Sequence, residues 1–265
     1  EALELEINTD FGEYVGTYAY PFTVSLEPGF YKAVLYHKAA GGGKVEMDRT
    51  NLGFNPEQIV SSQDKQPDFD AFWSETLAEL AEVEIDSKLT LLKEHSNDVR
   101  KAYRVDMKSL GGEPVSGLLY VPVADGKYPA MISYMGYGSE VWYADPSSNP
   151  QMIEFMLCVR NQAFNRKPGE ENDWCARGIE SKETYYYRGA FADAVRAIDF
   201  VCSLEKTDVD RVFAAGESQG GALTLAAASL DGRLKAIAPS APFLCDYPDY
   251  FVLAGWPGDP IEAAA

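Results

Sequence analysis

The stretch Arg211-Val212-Phe213-Ala214-Ala215-Gly216-Glu217-Ser218-Gln219-Gly220-Gly221-Ala222-Leu223 decides how this chain folds. Four apolar residues, Val212 to Ala215, run into a glycine-bracketed serine, and an Ala/Leu-rich segment continues from Gln219 to Leu230. The short apolar run predicts a strand, the longer one a helix, and the glycines a tight turn between them. Gly-x-Ser-x-Gly in a strand–turn–helix setting is the sequence form of a nucleophile elbow. A serine there stands on a strained turn with its oxygen clear of the sheet. Gly216 and Gly220 have no Cβ and let neighbouring backbone pass close to that turn. The helix start adds N–H groups and positive dipole where an oxyanion would develop. Ser218 is therefore the candidate nucleophile.

Upstream, Pro129 to Tyr134 and Met152 to Val159 are continuously apolar, as expected of strands covered on both faces. A helix with Phe191, Ala194, Val195, Ile198 and Cys202 on one side precedes the elbow, and Leu234 to Ala238 follows it as another strand. Strand, helix, strand, helix, strand argues a parallel sheet with right-handed crossovers. Lys101 to Met107 and Val115 to Val123 alternate instead and can pair across Gly111-Gly112. After Pro67, residues Phe69, Phe72, Trp73, Leu77 and Leu80 recur at helical spacing. The polar segment from Asn55 to Asp68, with two prolines, reads as a connector. Before it, Tyr18-Ala19-Tyr20, Phe22 to Leu26 and Tyr31 to Tyr36 alternate around Pro28-Gly29, and Gly41-Gly42-Gly43 reads as a turn. The expected organisation is a small all-β module over 1–54 and an α/β domain over 55–265.

The second oxyanion donor is expected on the loop after an earlier strand. Pro129 to Ser133 runs into Tyr134-Met135-Gly136-Tyr137-Gly138. The backbone N–H groups of Tyr137 and Gln219 are the expected pair.

Composition narrows the remaining classes. The 265 residues carry 23 Lys and Arg against 41 Asp and Glu, a net charge of −18. That field repels phosphate backbones and argues against a nucleic-acid partner. Apolar runs fall short of the roughly 18 residues of a spanning helix. Cys158, Cys175, Cys202 and Cys245 show neither metal-ligand spacing nor a disulfide framework. No metal or organic cofactor is implied. The N-terminal EALELEINTD shows no signal peptide. Because the chain begins at Glu1, a secreted or periplasmic location is expected if a leader preceded it, and a cytoplasmic one otherwise.

An ordered series of stretches resembles the acetyl xylan esterase / cephalosporin C deacetylase family of serine carbohydrate esterases. It comprises Asp68-Phe69-Asp70-Ala71-Phe72-Trp73, Met135-Gly136-Tyr137-Gly138, Gly178-Ile179, Tyr185-Tyr186-Tyr187-Arg188-Gly189 and Asp193-Ala194-Val195-Arg196-Ala197. Val209-Asp210-Arg211-Val212, Gly216 to Gly221 and Ala241-Pro242-Phe243-Leu244-Cys245-Asp246 complete it. The resemblance implies an α/β-hydrolase-type, mostly parallel sheet with flanking helices, incomplete at its C-terminus. It also implies removal of O-acetyl groups from acetylated xylan, xylo-oligosaccharides or similar small esters.

Two departures stand out. The family's Arg-Gly-Gln signature is here Arg160-Asn161-Gln162, so a different backbone is expected there. The family's acid and histidine follow the serine, whereas the only histidines here, His37 and His95, precede Ser218. In the order serine, acid, histidine neither fits as the base, and both are expected on turns or at the surface. The resemblance thus implies a chain cut short, with the triad acid and histidine outside it and little esterase turnover.

Other residues have structural expectations. Asp193 and Arg196 are expected to pair with Arg188 or Asp210. Tyr185 to Tyr187 either pack in the core or line a sugar pocket, and Trp142 and Trp174 shape its mouth. Asp246 and Asp249 come one strand too early for a triad acid. The edge at Leu234 to Ala238, with Phe243 and Phe251, invites self-association into a homo-oligomer. Competing readings are a non-catalytic carbohydrate- or protein-binding fragment, and a serine hydrolase for another ester or a peptide.

Overall fold

A glycine turn and alternating apolar residues build part of the antiparallel half of the main sheet, and helical crossovers carry the chain into its last two parallel strands. The computed structural model describes residues 23–38, 41–60, 65–245, 247 and 250. The chain divides into two compact units, Glu1–Lys65 and Gln66–Ala265. In the first unit, β1 (Gly29–Lys38) and β2 (Lys44–Phe54) pair antiparallel, with an irregularity between Leu35 and Tyr36. The strand expected over Phe22 to Leu26 needs correction, because Thr23 to Leu26 forms none. Alternation makes a strand only where a neighbouring backbone completes the ladder, and among the described residues none does. Tyr18 to Tyr20 lies outside the described residues.

In the second unit α1 (Phe69–Ala81) follows Pro67, and its Leu80 and Thr76 are buried. The strands that follow are β3 (Lys88–Leu91), β4 (Arg100–Lys108), β5 (Pro114–Pro122), β6 (Tyr128–Tyr134) and β7 (Ile153–Cys158). Then come α2 (Tyr186–Ser203), β8 (Thr207–Glu217), α3 (Gln219–Leu230) and β9 (Ala236–Ser240). Seven strands form one sheet in the order β3-β4-β5-β7-β6-β8-β9. The β3–β4, β4–β5 and β5–β7 pairs are antiparallel, and the β7–β6, β6–β8 and β8–β9 pairs are parallel. This mixed sheet with helices against it is an α/β-hydrolase-type architecture. Gly111 and Gly112, at φ 73° and 74°, turn β4 back as β5. β9 begins two residues later than Leu234, since its first ladder partner is Ala236 against Phe213. Among the described residues, no helix is long and apolar enough to cross a membrane.

The core lies between the sheet and α2 and includes Ile132, Phe155, Leu157, Phe200 and Val212, all essentially inaccessible to solvent. Topology then fixes where chemistry can occur. β6 and β8 are parallel neighbours ending in register, Tyr134 against Gly216. The loop after β6 and the turn after β8 therefore emerge side by side at the carboxyl ends of the strands, the usual ligand crevice of α/β sheets.

Candidate active site

Ser218 stands between the last residue of β8 and the first of α3, with φ 58° and ψ −118°. A non-glycine residue at positive φ is strained by roughly 1–3 kcal/mol and persists only when its surroundings hold it. The hold is visible. The Ser218 N–H donates to the Ser240 carbonyl at 3.0 Å, and the Ser218 carbonyl accepts from the N–H groups of Ala222 (3.1 Å) and Phe243 (3.0 Å). Close backbone approach explains the flanking glycines. A Cβ on Gly216 would lie 2.4 Å from the Gly220 carbonyl oxygen, and one on Gly220 would lie 2.1 Å from that of Tyr134. The Ser218 side chain is exposed in an open cleft of about 670 Å³ that also includes Gly136, Tyr137, Ser139, Trp142 and Ser240.

Of the two predicted oxyanion residues, Tyr137 lines this cleft, while Gln219 lies buried next to Ser218 in the chain. Gln219 is the first residue of α3, where a backbone N–H has no intrahelical acceptor. Tyr137 lies on the loop after β6, and its hydroxyl is anchored on another segment. Its hydroxyl donates to the Asn172 carbonyl at 2.9 Å and accepts from the Cys175 N–H at 3.3 Å. Burial holds that phenol well above its ordinary pKa, so it stays protonated and keeps donating.

Behind the loop lies a network that the residue-by-residue reading did not anticipate. Gln162, 1% exposed, accepts from the Gly138 N–H at 3.0 Å. Its amide donates to the Tyr186 hydroxyl at 2.9 Å and to the Gln219 side-chain oxygen at 3.1 Å. Tyr187 donates to that same oxygen at 2.9 Å. One buried amide thus ties the loop after β6 to the first residue of α3. Asn161 has φ 63°, in the left-handed region open to glycine and tolerated by asparagine. The Asn-for-Gly change therefore keeps that conformation accessible.

Arg160 locks the same corner. It makes a two-pronged pair with fully buried Asp193 at 2.9 and 2.7 Å, and its backbone N–H donates to the same carboxylate at 3.0 Å. Burial alone would lower the Arg160 pKa, but Asp193 outweighs it and holds the guanidinium above its ordinary value. Gly189 makes room, since a Cβ there would lie 2.1 Å from that guanidinium. The pairings expected for this region are therefore corrected. Asp193 meets Arg160, while Arg196 reaches the Leu80 and Val83 carbonyls and Asp199. Arg188 meets Glu79 and Thr76. Charge alone along one helix does not reveal a partner on another segment.

The aromatic expectations divide. Tyr186, Tyr187 and Trp174 are buried and none of them lines the cleft; Trp174 packs on Tyr137, while the Tyr186 and Tyr187 hydroxyls serve the Gln162–Gln219 network. Trp142 does line it. His95 stacks on Tyr143 with ring centroids 3.7 Å apart, and His37 belongs to the first unit. Asp246, Asp249 and Phe251 lie outside the described residues.

Comparisons with known proteins identify the family and the fold. Residues 55–255 match the family described as acetyl xylan esterase (AXE1). Acetyl esterase Axe7A of Xylanibacter ruminicola is 28% identical over 242 residues, 84% of this chain. The match covers 53% of that relative, so the chain spans about half its length. Among solved structures, an acetyl xylan esterase from Paenibacillus sp. R4 superposes with TM-score 0.69 at 29% identity, covering 77% of this chain and 68% of that one. Acetyl xylan esterase 1 from Thermoanaerobacterium sp. JW/SL YS485 gives 0.64 at 26% identity, covering 71% and 62%.

Proposed function

This chain belongs to the acetyl xylan esterase family, and from that premise we propose that it is the serine esterase part of an enzyme removing O-acetyl groups from xylan, xylo-oligosaccharides or similar small esters. The observation that carries the proposal is the exposed Ser218 at φ 58°, beside the Tyr137 loop and at the N-terminus of α3. In this reading the Ser218 hydroxyl oxygen attacks the acetyl carbonyl and gives up its proton to a base. The N–H groups of Tyr137 and Gln219 hold the resulting oxyanion, aided by the helix dipole. The sugar oxygen leaves with a proton, and water then releases acetate from the acetyl-serine. The base is a histidine–acid pair outside these 265 residues. In support, no histidine follows Ser218, and His95 is engaged with Tyr143.

Acyl length tests the assignment. Ser218-dependent release from p-nitrophenyl acetate should exceed that from the butyrate, and the butyrate that from the octanoate. A preference for octanoate would contradict a site built for acetyl groups.

A further inference from the structure

Trp142 is 52% exposed, although it lines the Ser218 cleft. An indole left half in water is expected to be mobile unless its backbone is fixed. Here the backbone is fixed on both sides. Before it, Val141 packs on the apolar cluster around Leu118 and Met135. After it, Tyr143 lies flat on His95, with ring planes 7° apart. The Tyr120 hydroxyl donates to the Ala144 carbonyl at 3.1 Å. Arg100, itself fully buried, donates to the Asp145 carbonyl at 3.1 Å and the Pro146 carbonyl at 3.2 Å. Among the described residues, no other ring or cation packs on the Trp142 indole. A loop held this firmly places a half-exposed aromatic side chain at the cleft.

We propose that Trp142 is the platform on which a pyranose ring of the substrate stacks, setting the sugar against Ser218. The chemistry favours a xylopyranose unit. Its ring faces are lined by C–H bonds with no exocyclic hydroxymethyl group in the way, and such bonds pack well on the negative face of an indole. A neutral sugar also incurs no repulsion from the Glu217 carboxylate at the cleft. The inference rests on the esterase reading for the acetyl group, but the ring contact is a separate claim.

Two readouts separate them. The first is titration of wild type, Trp142→Phe and Trp142→Ala with acetylated xylotriose, followed by calorimetry. The alanine variant should lose roughly tenfold in affinity, the equivalent of one stacking contact, and phenylalanine should restore most of it. The second is acetyl transfer to Ser218, read by peptide mass, from acetylated xylotriose against ringless vinyl acetate. Preference for the sugar ester should fall by a similar factor in Trp142→Ala. Equal affinity in wild type and Trp142→Ala, or no binding by wild type, would overturn the platform. An equal loss with both esters would also overturn it, since a merely structural role predicts that pattern. Failure of vinyl acetate to acetylate Ser218, with sugar binding still dependent on Trp142, would overturn the esterase reading and leave the platform standing.

Discussion

A single methyl group distinguishes the sequence that can make this elbow from one that cannot. Gly220→Ala would place a Cβ 2.1 Å from the Tyr134 carbonyl oxygen, and backbone rather than a flexible side chain would have to yield. The expected cost is about 1–3 kcal/mol or more, together with displacement of Ser218 and Gln219. Urea denaturation should show a lowered midpoint, and acetyl transfer to Ser218 should be lost; wild-type stability in this variant would contradict the packing described. The elbow was legible in sequence because strand, glycines, serine and helix are neighbours along the chain. The Arg160–Asp193 pair and the Gln162 amide were not. Their partners are 33 and 57 residues away, and only the packing of α2 on the sheet and the placement of the ends of β7 and β8 bring them together.

At the scale of elements, α1 is joined to α2 by a side chain acting as a cap. The last carbonyls of a helix lack intrahelical donors. Arg196, 4% exposed, donates to the carbonyls of Leu80 and Val83 at the end of α1. Burial lowers its pKa despite Asp199 and Asp193, so the charge is held at some expense. Arg196→Ala removes both bonds, leaving the Leu80 carbonyl with the Val83 N–H, and should destabilise the domain by about 1 kcal/mol. A urea midpoint unchanged from wild type would show that water replaces the guanidinium without loss. The sequence predicted α1 and α2 from their apolar spacing, yet it assigned Arg196 a carboxylate on the basis of charge alone. A guanidinium that serves carbonyls carries no such signature. β9 shows the complementary limit. Its apolar residues predicted a strand, but its first residue is set by where β8 offers a partner.

Across the whole molecule, burial sorts the cysteines. Cys158 is fully buried and its thiol is pushed up to about 12, whereas Cys245 is exposed. Burial also raises the Cys175 thiol. Iodoacetamide at pH 8 reacts with thiolate, so native protein should be alkylated at Cys245, with Cys158 and Cys175 modified only after denaturation. Peptide mass after a timed reaction checks this, and rapid native labelling of Cys158 would show that the sheet opens far more readily than its packing implies. The central claim concerns Ser218, and one measurement addresses it directly: the site of acetyl transfer after brief exposure of chain 1–265 to p-nitrophenyl acetate, mapped by peptide mass beside Ser218→Ala. An oxyanion hole alone retains some rate, while a serine without a general base loses several powers of ten, and the proposed reading puts the base outside these residues. The account predicts slow acetylation of Ser218 with little turnover, absent from the alanine variant. Acetyl groups confined to other residues, identically in both proteins, would contradict it.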